Sequence, residues 1–458
     1  MPDTPPGKTW RYQSFIPSKA EFSGNAAFPN FITGKVYVRT SIFRNQPDIT
    51  TIPAKRYYRC QKWSMLERLY GCETLVYVKF FRCIGCKSSY SPEKIRKCPV
   101  MRCPKCNSAL DAEYDYKSIQ RTIRKDEFMR ECPGHWKYWA FMPVGDLSGI
   151  VSMGEGGTPL VDLTRLMPQA KKFLVKYEAA NPTGSFKDRG SSLEITKAVT
   201  WGRKRVVIAS TGNMGSSVAA FAAFARLGCK IIIPEIVAPA KIVQMKAYGA
   251  EIELASGDYA DAMNIAENQV RSDPESFLAG DYPWRCEGTK TVGFEIADQM
   301  YWRVPDAVIA PIGNGTLIWS VWKAFKELMI TGITDALPLM VGVQAERCDP
   351  VVRAWEERTD TIVPIENPRT VASAIACGAP IDGLLALKAI RESGGICIKV
   401  TDEEILRARD ELGSNGVFVE PSGAVAFAGA RKTGDLLDQK TVVCIATGHG
   451  LKDMYGIE

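Results

Sequence analysis

The sequence predicts an α/β protein built on parallel sheets with helices covering both faces. Two observations lead there. From about Asp146 onward, short β-branched runs alternate with Ala-rich amphipathic stretches, the pattern of strand–helix–strand units whose strands are buried on both sides. At 458 residues the chain is also too long for one ordinary core, so two or three domains are expected.

Seven runs have strand length and strand composition: Phe173–Tyr177, Arg205–Ser210, Lys230–Pro234, Glu251–Ala255, Ala307–Pro311, Leu339–Gln344 and Thr441–Ala446. Between them, Ser216–Leu227, Lys241–Tyr248 and Asp261–Val270 carry helical spacing. Upstream, Glu73–Phe81 is rich in Val, Tyr and Phe and predicts a strand, and Tyr116–Glu131 predicts a charged helix. Residues 1–75 contain Tyr12, Phe15, Phe22, Phe28, Phe31, Tyr37 and Phe43, too aromatic for a free tail. They are read as an extension packed on a larger body. The expected division is this extension at 1–75, a cysteine ribbon at 76–116, a linker helix at 117–145 and an α/β body at 146–458.

Composition excludes several classes. Hydrophobic residues at 46% and charged residues at 24% are ordinary for a soluble globular chain. No stretch reaches the roughly 18 uninterrupted apolar residues of a membrane span. The opening Met1-Pro2-Asp3-Thr4-Pro5-Pro6 lacks the basic and apolar regions of a signal peptide. A cytoplasmic location is therefore expected, where 14 cysteines read as thiols, metal ligands or core residues, not as a disulfide framework. The net charge of +7 is uneven, with 25 Lys+Arg against 13 Asp+Glu in residues 1–150. A basic face of that kind suits nucleic acid or an acidic partner, or simply a solvated surface; nucleic acid is not the expected partner.

Within the ribbon, Cys83-Ile84-Gly85-Cys86 and Cys103-Pro104-Lys105-Cys106 are two C-x-x-C knuckles separated by 16 residues. The spacing suits a tetrahedral four-thiolate Zn2+ site in a structural role. Cys98 is a substitute ligand, Cys132 with His135 a looser alternative, and a ribbon that has lost its metal the bland one.

The segment Asn181-Pro182-Thr183-Gly184-Ser185-Phe186-Lys187-Asp188-Arg189-Gly190 presents Lys187 from a tight turn just before a helix. A lysine that attacks carbonyl carbon needs a depressed pKa from burial or a nearby cation. Ser210-Thr211-Gly212-Asn213-Met214-Gly215 ends a β run and opens an Ala-rich helix, so backbone N–H groups there can hold an anion. In Pro311-Ile312-Gly313-Asn314-Gly315-Thr316-Leu317, two glycines let successive N–H groups form a phosphate nest. Thr447-Gly448-His449-Gly450-Leu451-Lys452-Asp453 closes the last strand.

Together with Gly154-Glu155-Gly156-Gly157-Thr158-Pro159-Leu160, these blocks over about 150–455 resemble the fold-type II pyridoxal-phosphate enzymes, the tryptophan-synthase-β-like superfamily, and within it the threonine synthases. The cysteine ribbon is similar to one that precedes the catalytic domain in some archaeal-type members. The resemblance implies two three-layer α/β/α domains, the larger from 146–200 plus 300–458 and the smaller from 201–299, with the active site between them. It implies pyridoxal 5′-phosphate as cofactor, Lys187 as its Schiff-base lysine and Asn213 on its 3′-hydroxyl. Gly313, Asn314, Gly315 and Thr316 would hold its phosphate, and Thr447 would meet its ring nitrogen. Ser210, Thr211, Gly212 and Met214 would lie along the substrate carboxylate. His449 invites a general-base reading.

The implied reaction is elimination or replacement at Cβ or Cγ of a phosphorylated or otherwise activated amino acid by a homodimer. Two departures bear on the substrate. Met214 stands where the family commonly has a phosphate-binding threonine, and the Asn-Ser pair before its x-R-x-E-G-x-K-T block reads Ala279-Gly280. Arg285 remains as an anion ligand, while Asp281 would oppose a phosphate dianion. A serine/threonine dehydratase or β-replacement enzyme is therefore a second reading. A catalytically silent ribbon-bearing binding protein is a third.

Overall fold

Three β-sheets organise the residues that the computed structural model describes, which are 77–123, 125, 134–145, 147–210, 212–233, 239–256, 259–280 and 283–456. All of them belong to one unit, Arg59–Glu458. The extension at 1–75 lies outside the described residues, as do Cys132, Thr211, Asp281 and most of the second half of the Tyr116–Glu131 helix.

The ribbon is an antiparallel sheet of β1 (Val78–Cys83), β2 (Ser89–Tyr90) and β3 (Leu110–Tyr114) in the order β2-β1-β3. A six-stranded sheet follows, formed by β4 (Leu160–Asp162), β5 (Lys172–Tyr177), β10 (Ala307–Pro311), β11 (Leu339–Ala345), β12 (Ile396–Val400) and β13 (Thr441–Ala446). Its order is β12-β11-β10-β13-β5-β4. The third sheet, β8-β7-β6-β9, comprises β6 (Arg205–Ala209), β7 (Gly228–Ile233), β8 (Glu251–Leu254) and β9 (Ser276–Leu278).

The central strands are buried on both faces. Along β10, Val308 and Ala310 enter one apolar cluster while Ala307 and Ile309 enter another, and β13 divides Val443 and Ile445 from Val442 and Cys444 in the same way. Side chains of a strand alternate between faces, so two buried faces produce the continuous apolar runs seen in the sequence. The helices that matter for the site are α1 (Lys187–Thr200), α2 (Asn213–Phe224), α3 (Pro239–Ala247), α4 (Pro283–Thr289), α5 (Thr316–Ile330) and α6 (Pro421–Ala430). Buried along its whole length, α6 is made almost wholly of small residues that allow close packing on the sheet.

Several expectations needed correction. The β4 strand pairs antiparallel with β5, so the six-stranded sheet is mixed at that edge. Strands β9 and β12 were not legible, β9 being three residues long and β12 half-buried, and β4 begins only at the last residue of the Gly154–Leu160 block, which resembles the family's opening strand. The region read as a linker is not one long helix. A helix over Tyr116–Thr122 is followed by the buried 3-10 segment His135–Phe141, whose Tyr138 and Phe141 pack on Phe294 at 5.5 and 4.7 Å.

Candidate active site

Three neighbouring parallel strands end side by side. Strand β10 pairs with β13 and β13 with β5, so the segments that follow them, 312–316, 447–450 and 178–187, share one edge of the sheet. The crevice beyond the carboxyl ends of such strands is where open α/β sheets bind ligands. From the other sheet, β6 leads into Ser210 and the head of α2.

Lys187 opens α1. The turn before it is closed by Gly184 N–H donating to Asn181 O at 2.8 Å, and Phe186 N–H donates to Thr447 O at 3.1 Å. An isolated β-bridge joins Ser185 to Gly448, and His449 N–H reaches Gly184 O at 2.9 Å. The lysine segment and the Thr447 segment are thus laced together by backbone. Half-buried Lys187 has its ammonium 4.8 Å from the ring centroid of Phe186. The adjoining Asp188 is wholly buried. It accepts from Thr183 N–H at 2.7 Å, Thr183 Oγ1 at 2.5 Å and Ser217 Oγ at 2.6 Å. Burial pushes its carboxyl up to about 6, against the pull of those donors.

Asn213, at the head of α2, donates its amide to Glu420. Glu420 is buried at the N-terminus of α6, and its other oxygen lies 3.4 Å from Lys241 Nζ of α3. Lys241 also donates to Ser373 Oγ at 3.1 Å. Lys452 Nζ donates to Thr183 O at 2.8 Å and Gln244 Oε1 at 2.6 Å. Both acceptors are neutral, and burial lowers this ammonium to about 8 in spite of Glu420 and Asp188 nearby. Glu420 and Lys241 escaped the sequence reading, because their approach to Asn213 depends on both sheets.

In the 312–316 segment, Gly315 holds a left-handed φ of +98°, and a Cβ there would stand 2.6 Å from Asp382 O. Thr316 Oγ1 donates to Asp382 Oδ2 at 2.7 Å, and Asn314 Oδ1 accepts from Cys377 Sγ at 3.1 Å. Side chains therefore brace this loop from behind, and the first turn of α5 directs its N–H groups into it. The loop joins the rest of the site through Gly313, whose Cβ position is 3.3 Å from Ile375 Cα, and Ala374 N–H, which donates to Ser422 Oγ at 3.0 Å. Thr447 Oγ1 donates to Ser422 O at 3.4 Å.

Other sequence candidates take scaffold positions. Ser210 Oγ accepts from Gly215 N–H at 2.9 Å and Gly212 N–H at 3.4 Å, which fixes the turn into α2. Met214 belongs to the apolar core. Arg285 is completely buried and ion-paired with Glu194; it donates to Gly280 O, Lys187 O and Ser191 Oγ at 3.1, 3.1 and 3.2 Å. Its charge is already answered inside the protein. His449 Nδ1 accepts from Leu451 N–H at 3.2 Å, which caps the final turn.

The Gly154–Leu160 block is a scaffold as well. Gly157 and Thr158 N–H groups donate to Glu295 at 2.9 Å each, and Glu295 pairs with Arg189 and Lys176 at 2.9 and 2.6 Å. Glu155 lies 2.9 Å from His135 Nε2, so His135 is committed to the core and not to a metal.

In the ribbon, the sulfurs of Cys83, Cys86, Cys103 and Cys106 all lie within 4.8 Å of one another. A tetrahedron of about 2.3 Å metal–sulfur bonds has edges of roughly 3.8 Å. The Cys83–Cys106 and Cys86–Cys103 separations are 3.4 and 3.5 Å. The two knuckles share one geometry: Lys87 N–H returns to Cys83 O and Asn107 N–H to Cys103 O, with φ near +60° at both donors. Cys98 is outside the cluster, its thiol donating to Lys94 O at 3.4 Å.

Near the Lys187 turn, the buried polar atoms Ser185 Oγ and Asn213 Oδ1 have no hydrogen-bond partner among the described residues. Buried polar atoms are nearly always paired, so these two fit a polar group lying between the Lys187 turn and α2. The class comes from the family that the chain matches: residues 151–448 correspond to the family described as "Pyridoxal-phosphate dependent enzyme". The chain is 42% identical to the threonine synthase of Methanocaldococcus jannaschii across 81% of its length and 92% of the relative's. It is 40% identical to that of Halalkalibacterium halodurans over 69% and 88%. Among solved structures, a threonine deaminase from T.th. superposes with a TM-score of 0.54 at 29% identity, over 64% of this chain and 92% of that one. Maize serine racemase, at 24% identity and a TM-score of 0.56 over 64% and 88%, shares the fold. The chain belongs to the pyridoxal-phosphate-dependent enzymes of fold type II and, within them, is a lyase of the threonine-synthase-like family.

Proposed function

We propose that the chain converts an O-phosphorylated γ-hydroxy amino acid, phosphohomoserine, into threonine by γ-elimination and β-replacement with water. One observation carries this reading: the backbone lacing of the Lys187 turn to the Thr447 segment, beside Asn213 and the Gly313–Thr316 loop. Lys187 would hold the cofactor covalently, and Gly313, Asn314, Gly315 and Thr316 its phosphate. Asn213 would meet its ring hydroxyl and Thr447 its ring nitrogen, where a threonine hydroxyl leaves that nitrogen largely unprotonated. When bound, the cofactor supplies an electron sink for charge developing at the substrate's Cα. The amine of Lys187, released by the incoming substrate amine, moves protons at Cα and Cβ. Ser210 and Gly212 would present the turn into α2 to the substrate carboxylate, with Thr211 the third residue of this proposed set. Glu420 and Lys241 fix Asn213 from the far side.

The catalytic body divides as the two larger sheets do, with the smaller domain over about 201–299 and the crevice between the domains as the site. A homodimer in the cytoplasm is the assembly and location this reading expects. For the ribbon we assign a structural Zn2+, supported by the four clustered sulfurs and the paired knuckle geometry.

A dehydratase or β-replacement activity on serine or threonine is the second reading. Its support is Arg285, committed to Glu194, and Met214, committed to the core, which leaves neither for a substrate phosphate. The test loads the full chain with pyridoxal phosphate, reduces it with borohydride and sequences the labelled peptide. In a second, unreduced sample of the loaded enzyme, phosphohomoserine, serine and threonine are supplied separately. Label at Lys187 with release of inorganic phosphate and threonine is expected. Keto acid from serine or threonine, without phosphate release from phosphohomoserine, selects the second reading.

A further inference from the structure

Helix α4 is held between two layers. One is the catalytic helix. Arg285 of α4 donates to the carbonyl of Lys187 itself at 3.1 Å and to Ser191 Oγ at 3.2 Å, and pairs with Glu194, all on α1. Contact is so close that a Cβ on Gly288 would stand 2.3 Å from Arg189 O and 2.9 Å from Gly190 Cα. The other layer is the ribbon. Glu287 of α4 accepts from the Tyr114 hydroxyl of β3, from Lys323 Nζ at 2.7 Å and from Lys290 Nζ at 2.5 Å. Lys323 also donates to Asp111 Oδ1 and Ala112 O of β3, both at 2.6 Å. Lys290 pairs with Glu327 at 2.8 Å and sits 4.2 Å from the Tyr114 ring centroid. Phe81 of β1 meets Trp284 of α4 edge-on at 5.1 Å.

We propose that the ribbon is a positioning element for Lys187: β3 fixes α4, and α4 fixes the first two turns of the catalytic helix. Tyr114 and Glu287 are the positioning residues. The inference rests on Lys187 being the cofactor lysine. Lys290, Lys323, Glu287 and Glu327 are buried, and if β3 shifted, Lys323 and Glu287 would each lose a partner without gaining water. The ribbon and α4 therefore move together or not at all. A small crevice lined by Met101 and Leu110 of the ribbon, Pro283 and Cys286 of α4, and Asp382 puts the ribbon against the residue that braces Thr316 as well. A reacting group displaced by about 1 Å loses on the order of 100-fold in rate, so a support this close to the Lys187 backbone bears on catalysis.

The experiment compares full-length, cofactor-loaded wild type with Tyr114→Phe, Glu287→Gln and a control, Glu113→Gln. Glu113 lies on the same strand but pairs outward with Arg82. For Tyr114→Phe and Glu287→Gln, the pH midpoint of the visible cofactor absorbance should move by about half a unit. Their kcat should fall about tenfold at little-changed KM, while Glu113→Gln matches wild type. Folded variants with wild-type absorbance titration and wild-type kcat overturn the proposal. Tyr114→Phe removes a single hydroxyl and decides the matter if Glu287→Gln does not fold. Borohydride label absent from Lys187 in wild type overturns the cofactor assignment and this inference together, whereas label at Lys187 with unmoved titration and unmoved kcat in the variants overturns this inference alone.

Discussion

Asn213, just beyond β6 of one sheet, and Glu420, which precedes the helix packed on β10 and β13 of the other, are joined by a hydrogen bond. The asparagine at the head of α2 donates to the carboxylate that precedes α6, and Lys241 of α3 lies 3.4 Å from the opposite oxygen. Residues from both sheets are thereby fixed relative to the Lys187 turn. Replacing Glu420 by Gln keeps the shape but takes the counter-charge from a buried Lys241. We expect kcat/KM to fall about 10–100-fold, the loss associated with a charged hydrogen bond, in a protein that still folds. Steady-state kinetics of Glu420→Gln at wild-type level would remove this residue from the site.

Gly315 gives a prediction of a different kind. Its φ of +98° and the 2.6 Å approach to Asp382 O leave no room for a methyl group. Gly315→Ala should cost about 1–3 kcal/mol in urea unfolding and weaken cofactor binding by about tenfold or more, read by equilibrium dialysis. Unchanged cofactor affinity would place the phosphate elsewhere.

Arg285 separates a scaffold role from a substrate role. Arg285→Met strands Glu194 in the core, and we expect a loss of about 3–5 kcal/mol in stability with KM little changed in the folded enzyme. A direct ligand of the substrate would show the reverse, with KM raised and stability kept.

The ribbon should bind one Zn2+ per chain, and Cys106→Ser should lower that content sharply and the melting temperature by several degrees. Metal analysis of the purified wild type that finds no zinc contradicts the assignment.

Lys452 makes a pH-dependent contribution whose sign is fixed by its depressed folded value of about 8 against an ordinary 10.5. Below pH 8 the ammonium is charged in both folded and unfolded chains, and its burial cost is fully present. Between about 8 and 10.5 the unfolded chain binds the extra proton, so this group makes stability rise with pH. Wild type should gain about 1–3 kcal/mol over that interval relative to Lys452→Met, measured by urea unfolding at pH 7 and 10.5. Parallel stability profiles for the two proteins would refute it.

The sequence by itself determined the parallel α/β plan, because strands buried on both faces must be apolar at consecutive positions, as Ala307–Pro311 and Thr441–Ala446 are. It also marked 181–190 and 311–317 as candidate segments, since glycines such as Gly184 and Gly315 are needed by the local backbone and lie close to the other candidate residues in the chain. The two knuckles were legible for the same reason. Only the tertiary structure decided what surrounds them. The match of Glu420 to Asn213 spans 207 residues and that of Tyr114 to Glu287 spans 173, and nothing local in either segment announces its partner. The tertiary structure likewise moved Arg285 from the substrate to Glu194 and His135 from the metal to Glu155, because a buried charge or ring nitrogen goes to whichever complementary group the packing brings within reach.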